Sequence, residues 1–387
     1  LTNISPRGRP DFILLILTIL LVGIGLVMVF SSSFTMATYK HQNALFYIFK
    51  QGWFAAAGLF LMLFMMGVPF KRWKNIAPIL LLLSLILLIL VLIVGVSING
   101  AKRWIMLGGV SLQPSEWTKL SLILYLAALI SNKGERIRDF KKGLLPILVV
   151  SGLILVLVML QPDFGTMSIL CIITLACIIV GGANLRHVLW IGLGVLPILA
   201  YMAISKSYRI QRLTSFLNPL VDPTDSGYQV VQSLTALGHG GFTGTGLGGS
   251  VQKLLYLPEA HTDFIFAIIG EEFGFIGSFL FINLFFGLLS RGFLIAIKSQ
   301  DLFGLITGMG IVTMIFVQFA LNVGAAVGIL PVTGVPLPFI SYGGSALLTN
   351  MAAVGLLLSI SRENNRLRAE RKNRKSLKKR TQLTLIK

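Results

Sequence analysis

Charge is scarce in this chain of 387 residues: Asp, Glu, Lys and Arg together make up 12% of it, about half of the ~25% typical of a soluble domain. That is too little polar surface to coat two or three soluble domains, and the same shortage excludes a disordered chain or an ordinary DNA-binding protein. Acidic residues are rarer still, 14 against 33 Lys and Arg, for a formal net charge of +19. In so apolar a chain the excess points to membrane topology and anionic headgroups before nucleic acid. Cysteine is nearly missing. Cys171 and Cys177 fall in one apolar run, on different helix faces, and carry no information about a redox compartment. No metal-ligand spacing, no Ser-His-Asp set and no internal repeat is present. A cleavable signal peptide is not expected either, because the first apolar run is long enough to span and no small-residue cleavage site stands out.

What the chain has is hydrophobicity: 55% of its residues and a mean hydropathy of +0.85. About 20 apolar residues cross a bilayer as a helix. About ten stretches qualify: 12–31, 46–68, 76–96, 114–130, 144–160, 166–182, 187–204, 263–289, 302–327 and 340–360. The expected fold is therefore an all-α polytopic membrane protein, with one transmembrane domain over 1–361. A basic tail, 362–387, is expected to be disordered at the membrane surface. Most Lys and Arg fall in alternate connecting segments, such as Lys133–Lys142, and in the tail. The positive-inside rule then places both termini in the cytoplasm. One long segment, 205–262, falls outside between the seventh and eighth spans, and loops of that length in a compact domain are commonly functional.

Ionisable residues in or beside spans are functional candidates, because each costs roughly 2.5–3.5 kcal/mol at mid-membrane on insertion scales. Asp263 opens the eighth span in the run Tyr256-Leu-Pro-Glu-Ala-His-Thr-Asp-Phe264. It reads either as a helix cap or as a carboxylate base beside an apolar wall. His261 and Glu259 accompany it, as site residues or as a solvated loop. Glu271 and Glu272 lie deeper on the same helix and need partners or protons. A second group is basic. Lys102, Arg103 and Trp104 precede the fourth span, and Lys119 lies one turn inside it, within reach of Glu116 at i,i+3. Lys119 either snorkels to headgroups or joins Arg103 in a collar for a phosphate or pyrophosphate, with Trp104 as a wall. Arg209 and Arg212 could complete that collar.

The glycine-dense stretch Gly238–Gly249 is neither a P-loop nor a dinucleotide fingerprint; a tightly turning loop fits it better than a phosphate cradle. Residues 331–345 are uncharged yet broken by three prolines. Irregular backbone at membrane depth must line a cavity or be buried in protein, so this segment is expected to line one, with Ser341 and Tyr342 as polar lining.

Seven of these stretches resemble the SEDS family of shape, elongation, division and sporulation proteins. They are Asn99-Gly-Ala-Lys-Arg-Trp-Ile105, Gln113-Pro-Ser-Glu116, Gln161-Pro-Asp-Phe-Gly165, Arg212-Leu-Thr-Ser-Phe-Leu-Asn-Pro219, Gly227-Tyr-Gln229, Tyr256–Phe266 and Pro338-Phe-Ile-Ser-Tyr-Gly-Gly344. The Arg212 and Tyr256 runs look more like the division (FtsW) and sporulation (SpoVE) branches than the RodA branch. The resemblance implies a peptidoglycan glycosyltransferase that polymerises lipid II at the outer face of the bacterial cytoplasmic membrane, at the septum. It implies a class B penicillin-binding protein and other division-complex membrane proteins as partners. The family's essential aspartate falls on Asp263 and its outer-loop tryptophan on Trp104. Where the family often has arginine, this chain has Lys50, which keeps the charge without the bidentate fork. On this reading Arg103, Lys119, Arg209, Arg212 and Lys50, with Trp104, His261, Glu259 and Ser341, bind substrate. A divalent cation (Mg or Mn) joins the pyrophosphate, and no organic cofactor or nucleic acid is expected. Two other classes remain open: a lipid II flippase, which needs a polar cavity opening to both faces, and a non-catalytic scaffold, for which Asp263 would be dispensable.

Overall fold

The computed structural model describes residues 8–98, 101–108, 110–204 and 227–384. Each expected apolar run is helical. In chain order the long helices are α1 (Phe12–His41), α2 (Phe46–Gly67), α3 (Phe70–Val94), α4 (Pro114–Lys133), α5 (Leu145–Leu160), α6 (Phe164–Val180) and α7 (Leu185–Ile204). After them come the short helix α8 (Tyr228–Gly240) and then α9 (Ile265–Ile297), α10 (Leu302–Ala326) and α11 (Gly344–Thr384). Among the described residues, seven helices are long and apolar enough to cross a membrane, and α6 is a shorter apolar helix. The chain is a multi-pass membrane protein.

Local chemistry explains several ends. Asp11 accepts the amide of Leu14 (3.1 Å) at the start of α1, Asp163 accepts that of Thr166 (3.1 Å) at the start of α6, and Asp301 accepts that of Phe303 (3.2 Å) at the start of α10. Each satisfies one of the orphan amides of a first helical turn. Pro114 opens α4, where a missing N–H costs nothing.

Helices α4, α10 and α11 form the interior, with α2 packed along α11, α3 along α4 and α9 along α10. Outward-facing Trp53, Phe60, Ile79, Val149 and Trp190 remain exposed, as expected of side chains that meet lipid rather than water.

Three features differ from the expectation. Residues 96–112 are not a plain loop but a small antiparallel sheet: β1 (Val96–Ile98), β2 (Ala101–Leu107) and β3 (Val110–Leu112), in the order β1-β2-β3. Its strands are three to seven residues long, too short for alternation to stand out beside an apolar span. The tail expected to be disordered continues α11 as helix to Thr384. It grows from an already formed, buried helix, so no new nucleus is required, and Glu363–Arg366 (2.9 Å) and Arg366–Glu370 (3.7 Å) pairs support its first turns. The described part of the long connecting segment, from Gly227, holds α8 and a turn-rich strap, 241–264.

Candidate active site at the Asp263 end

The strap ends in a tight turn. The carbonyl of Glu259 accepts the amides of Thr262 (3.1 Å), Asp263 (3.1 Å) and Phe264 (3.2 Å), and Glu259 itself adopts a positive φ of 54°. Its carboxylate accepts the Thr262 hydroxyl (2.6 Å). Helix α9 follows with Phe264 at its capping position, and the Phe264 side chain makes no capping hydrogen bond. Asp263 sits one residue outside that position, half-buried.

The proline-broken segment 331–343 lies against this turn, and hydrogen bonds from Asn322, Ser341 and Tyr342 fix the pair. The buried Asn322 amide donates both to the Asp263 carbonyl and to the Val335 carbonyl, each at 2.9 Å. The Ser341 hydroxyl donates to the Thr262 carbonyl and accepts the Leu337 amide (2.9 Å). The Tyr342 amide donates to the His261 carbonyl (2.9 Å). Buried Gln51 clasps the segment from α2, donating to the Ser341 carbonyl (3.1 Å) and accepting the Gly343 amide (3.3 Å). Gly334, at φ +72°, faces Asp263 so closely that a Cβ there would stand 3.6 Å from its Oδ2. A carboxylate is thus held between two irregular backbone segments, the arrangement expected of a cavity wall at membrane depth.

His261 is buried beside this carboxylate, its ring 4.8 Å from that of Tyr47 and 5.7 Å from that of Tyr342. Burial pulls its pKa below the ordinary value, opposed by the negative Glu259 and reinforced by the positive Lys40. The folded state therefore holds fewer protons than the unfolded one just below pH ~6.5. Stability should fall as the pH drops from ~6.5 through the lowered folded value, and His261→Gln should flatten that slope in thermal unfolding. An unchanged slope would show that His261 does not titrate in this window.

The basic candidates are placed differently from one another. Arg103, on β2, donates to the carbonyls of Gln161 (3.2 Å) and Pro162 and lies 3.6 Å from Asp163. Asp163 also meets the Gln113 amide (3.4 Å). The α5–α6 turn so anchored reaches the site, since a Cβ on Gly165 would come within 2.8 Å of the Thr333 carbonyl. Trp104 sits half-buried next to Arg103, paired with Val96. Lys119 does not snorkel. It is fully buried, and its ammonium lies 2.8 Å from Glu116, because the i,i+3 carboxylate supplies a partner inside the bundle. Lys50 is half-buried, 5.8 Å from the ring centroid of Phe46. Arg209 and Arg212 lie outside the described residues. Asp163 of the Gln161-Pro-Asp-Phe-Gly165 stretch, with Gln51, Asn322 and Tyr47, completes the assembly; the sequence reading did not single out the last three, although lone polar residues in apolar runs were the available signal.

The stretches around Arg103, Gln113, Asp163, Asp263 and Ser341 that carry the resemblance thus meet at one end of the bundle. The whole chain follows the same likeness: a family profile described as "Cell cycle protein", that of FtsW, RodA and SpoVE, matches residues 12–366. The chain belongs to this family. It is 44% identical over 360 residues to the stage V sporulation protein E of Bacillus subtilis, covering 92% of this chain and 98% of that one. It is 43% identical over 353 residues to the probable peptidoglycan glycosyltransferase FtsW of Trichlorobacter lovleyi, covering 91% and 93%. Among solved structures it superposes with a TM-score of 0.77 and 30% identity on a chain reported under "Structural coordination of polymerization and crosslinking by a peptidoglycan synthase complex", covering 92% of this chain and 98% of that one. With the rod shape-determining protein RodA of Thermus thermophilus the TM-score is 0.67 at 27% identity, covering 92% and 97%.

Proposed function

We propose that this protein is a peptidoglycan glycosyltransferase of septal or sporulation wall synthesis, polymerising lipid II at the outer face of the bacterial cytoplasmic membrane. The observation that carries the reading is the position of Asp263, pinned through its own backbone by Asn322 and Glu259 against the irregular 331–343 segment. Binding constellations of this kind work when a neighbouring shell holds the reacting group still.

In the proposed reaction, a sugar hydroxyl of the acceptor attacks the anomeric carbon of the lipid-linked donor. Its oxygen forms the new glycosidic bond, the bond from that carbon to the pyrophosphate oxygen breaks, and Asp263 takes the hydroxyl proton. One in-line displacement inverts an α-linked donor to a β-linked product. Lys50, with Arg209 and Arg212, would stabilise the charge that collects on the departing pyrophosphate. Arg103 and Lys119 are assigned the wall rather than the collar, since their charges are engaged with Gln161, Pro162, Asp163 and Glu116. Trp104, His261, Glu259 and Ser341 shape the entrance.

Among the described residues, no group of three or more His, Cys, Asp and Glu side chains is placed to hold a metal ion. Mg²⁺ commonly binds through one or two carboxylates plus substrate phosphates. A divalent ion would therefore arrive with the pyrophosphate, and no step is assigned to it. A class B penicillin-binding protein is the proposed transpeptidase partner.

Purified protein, with and without such a partner, should convert labelled lipid II into glycan strands. Transfer of lipid II across proteoliposome membranes without polymer would instead establish a flippase. With both termini proposed to be cytoplasmic, reporters at Lys142 and Gly241 should report opposite faces; the same face for both would overturn the orientation.

Arg103→Ala should lower thermal stability by about 2 kcal/mol, because charge-assisted hydrogen bonds contribute ~1.5–3 kcal/mol, and turnover should drop with it. Arg138→Ala, on an exposed side chain of the Lys133–Lys142 segment, should change neither. Equal losses from both would mean diffuse charge attraction instead of an anchored wall.

A further inference from the structure

Helix α9 joins two different sites. Beyond its kink at Gly274 the helix runs on to Ile297, about 35 Å at 1.5 Å per residue, and at that end, away from Asp263, a cavity of about 310 Å³ opens between α1, α9 and α11. Three cations line it: Arg291 and Lys298 from α9 and its end, and Arg368 from α11; Asp11 is the acid among the lining residues. Asp11 is already committed to Arg291, whose Nε lies 2.9 Å and 3.0 Å from its two oxygens and whose Nη2 lies 2.9 Å from Oδ2. Lys298 and Arg368 enter no ion pair among the described residues, which leaves the cavity with two unneutralised positive charges.

The walls are built rather than incidental. Buried Asn364 donates to the Ile295 carbonyl (3.0 Å), Asn365 to the Arg9 carbonyl (2.8 Å) and Arg362 to the Gly8 carbonyl (3.2 Å). The chain entering α1 is thereby strapped to α11. Beside the opening, Phe12, Ile13 and Ile16 of α1 and Leu294 and Ile297 of α9 are exposed apolar side chains. They form a lipid-facing surface within a few residues of the two cations.

We propose that this cavity is a binding site for the phosphate headgroup of an anionic phospholipid, with Lys298 and Arg368 on the phosphate and the acyl chains lying over Phe12, Ile13 and Leu294. A basic pocket between transmembrane helices is the known physical form of such sites. The adjoining apolar strip favours a lipid over a soluble phosphate, because only a lipid uses both halves of the surface. The bound lipid staples α1, α9 and α11 together. This assignment is independent of the glycosyltransferase reading, and it applies whichever leaflet the cavity faces.

The test uses the full chain in neutral phosphatidylcholine–detergent micelles, titrated with phosphatidylglycerol. Bound lipid is counted by native mass spectrometry and thermal stability is followed in parallel. One phosphatidylglycerol should be retained and should raise the unfolding temperature, whereas glycerol 1-phosphate should do neither. Lys298→Gln with Arg368→Gln should weaken retention about thirty-fold, from a per-cation contribution near a surface of roughly a factor of five. Lys298→Arg with Arg368→Lys should retain the lipid and shows that the site tolerates substitution. Arg136→Gln with Lys141→Gln, removing two exposed cations elsewhere, should have no effect. Retention that survives the Gln pair, or falls equally with the Arg136 and Lys141 changes, overturns the site. Equal stabilisation by glycerol 1-phosphate overturns the lipid assignment in favour of a soluble phosphate.

Discussion

Asp263→Asn should abolish glycan synthesis while leaving a folded protein that still binds its transpeptidase partner. General-base catalysis contributes typically 10²–10⁴-fold, so turnover should fall by about that factor or more. The structure sharpens this expectation. Two contacts hold residue 263 through its backbone: its amide donates to Glu259 and its carbonyl accepts from Asn322. Asparagine reproduces both and nearly matches the side chain's shape. Phe264 holds the capping position of α9, and Asn caps a helix as well as Asp does, so the substitution removes a negative charge and a proton acceptor and leaves the helix start intact. A cap residue replaced by Asn would be silent, whereas a catalytic base would not. The measurement is the rate of polymer formation from labelled lipid II, with thermal unfolding and partner pull-down on the same preparation. A variant that folds, binds and polymerises near the parent rate would remove Asp263 from the chemistry.

How much of this was legible in the sequence depends on the range of the signal. Helices were legible because 20 apolar residues in succession have few alternatives; each expected run is largely helix, and seven helices among the described residues are long and apolar enough to cross a membrane. The segment 331–345 was legible as a wall because prolines and glycines interrupt an uncharged stretch that has nowhere else to go. Asp263 stood out as a carboxylate at the mouth of an apolar helix. Its holders did not. Gln51 and Asn322 are single amides in apolar helices, and only tertiary contact reveals that one clasps Ser341 and Gly343 while the other joins Asp263 to Val335. Arg103 and Lys119 were visible as cations but not as engaged ones, since the carbonyls of Gln161 and Pro162 lie far from Arg103 in sequence. The proximity of Glu116 to Lys119 was readable from the i,i+3 spacing; that the pair would be fully buried was not.

The glycine-dense stretch makes the same point in reverse. Its residues turn the strap around a kink in α9 at Gly274, where φ is 65° and a Cβ would run into the amide of Gly244. The strap carries partners to both acids of the kink. Glu271 accepts the Val251 amide (3.0 Å), the Gln252 amide (3.3 Å) and the Ser250 hydroxyl, and meets His239 Nδ1 at 2.8 Å. Glu272 lies 2.7 Å from the Lys253 ammonium and accepts the Ser31 hydroxyl of α1 (2.6 Å). The glycines are there to let the strap approach, and the polar groups are there because two buried carboxylates must be satisfied.

Lys253→Met should therefore be among the most destabilising single changes in the chain. Lys253 is 8% exposed and Glu272 is fully enclosed at 1%. Removing the ammonium leaves the carboxylate with the Ser31 hydroxyl and no counter-charge, and breaking a buried pair in this way costs about 3–5 kcal/mol. The pair itself is a weak source of net stability, since each charge had to leave water. The double change Lys253→Met with Glu272→Met should thus recover most of the loss, because neither charge is then stranded. Activity should follow stability in both, as the strap that Lys253 pins runs ten residues further to Asp263. Thermal unfolding of the two variants and of Glu272→Met alone gives the coupling directly. A single variant as stable as the parent, or a double variant no better than Lys253→Met, would mean that the strap is held by its glycine turns and the Glu271 contacts rather than by this ion pair.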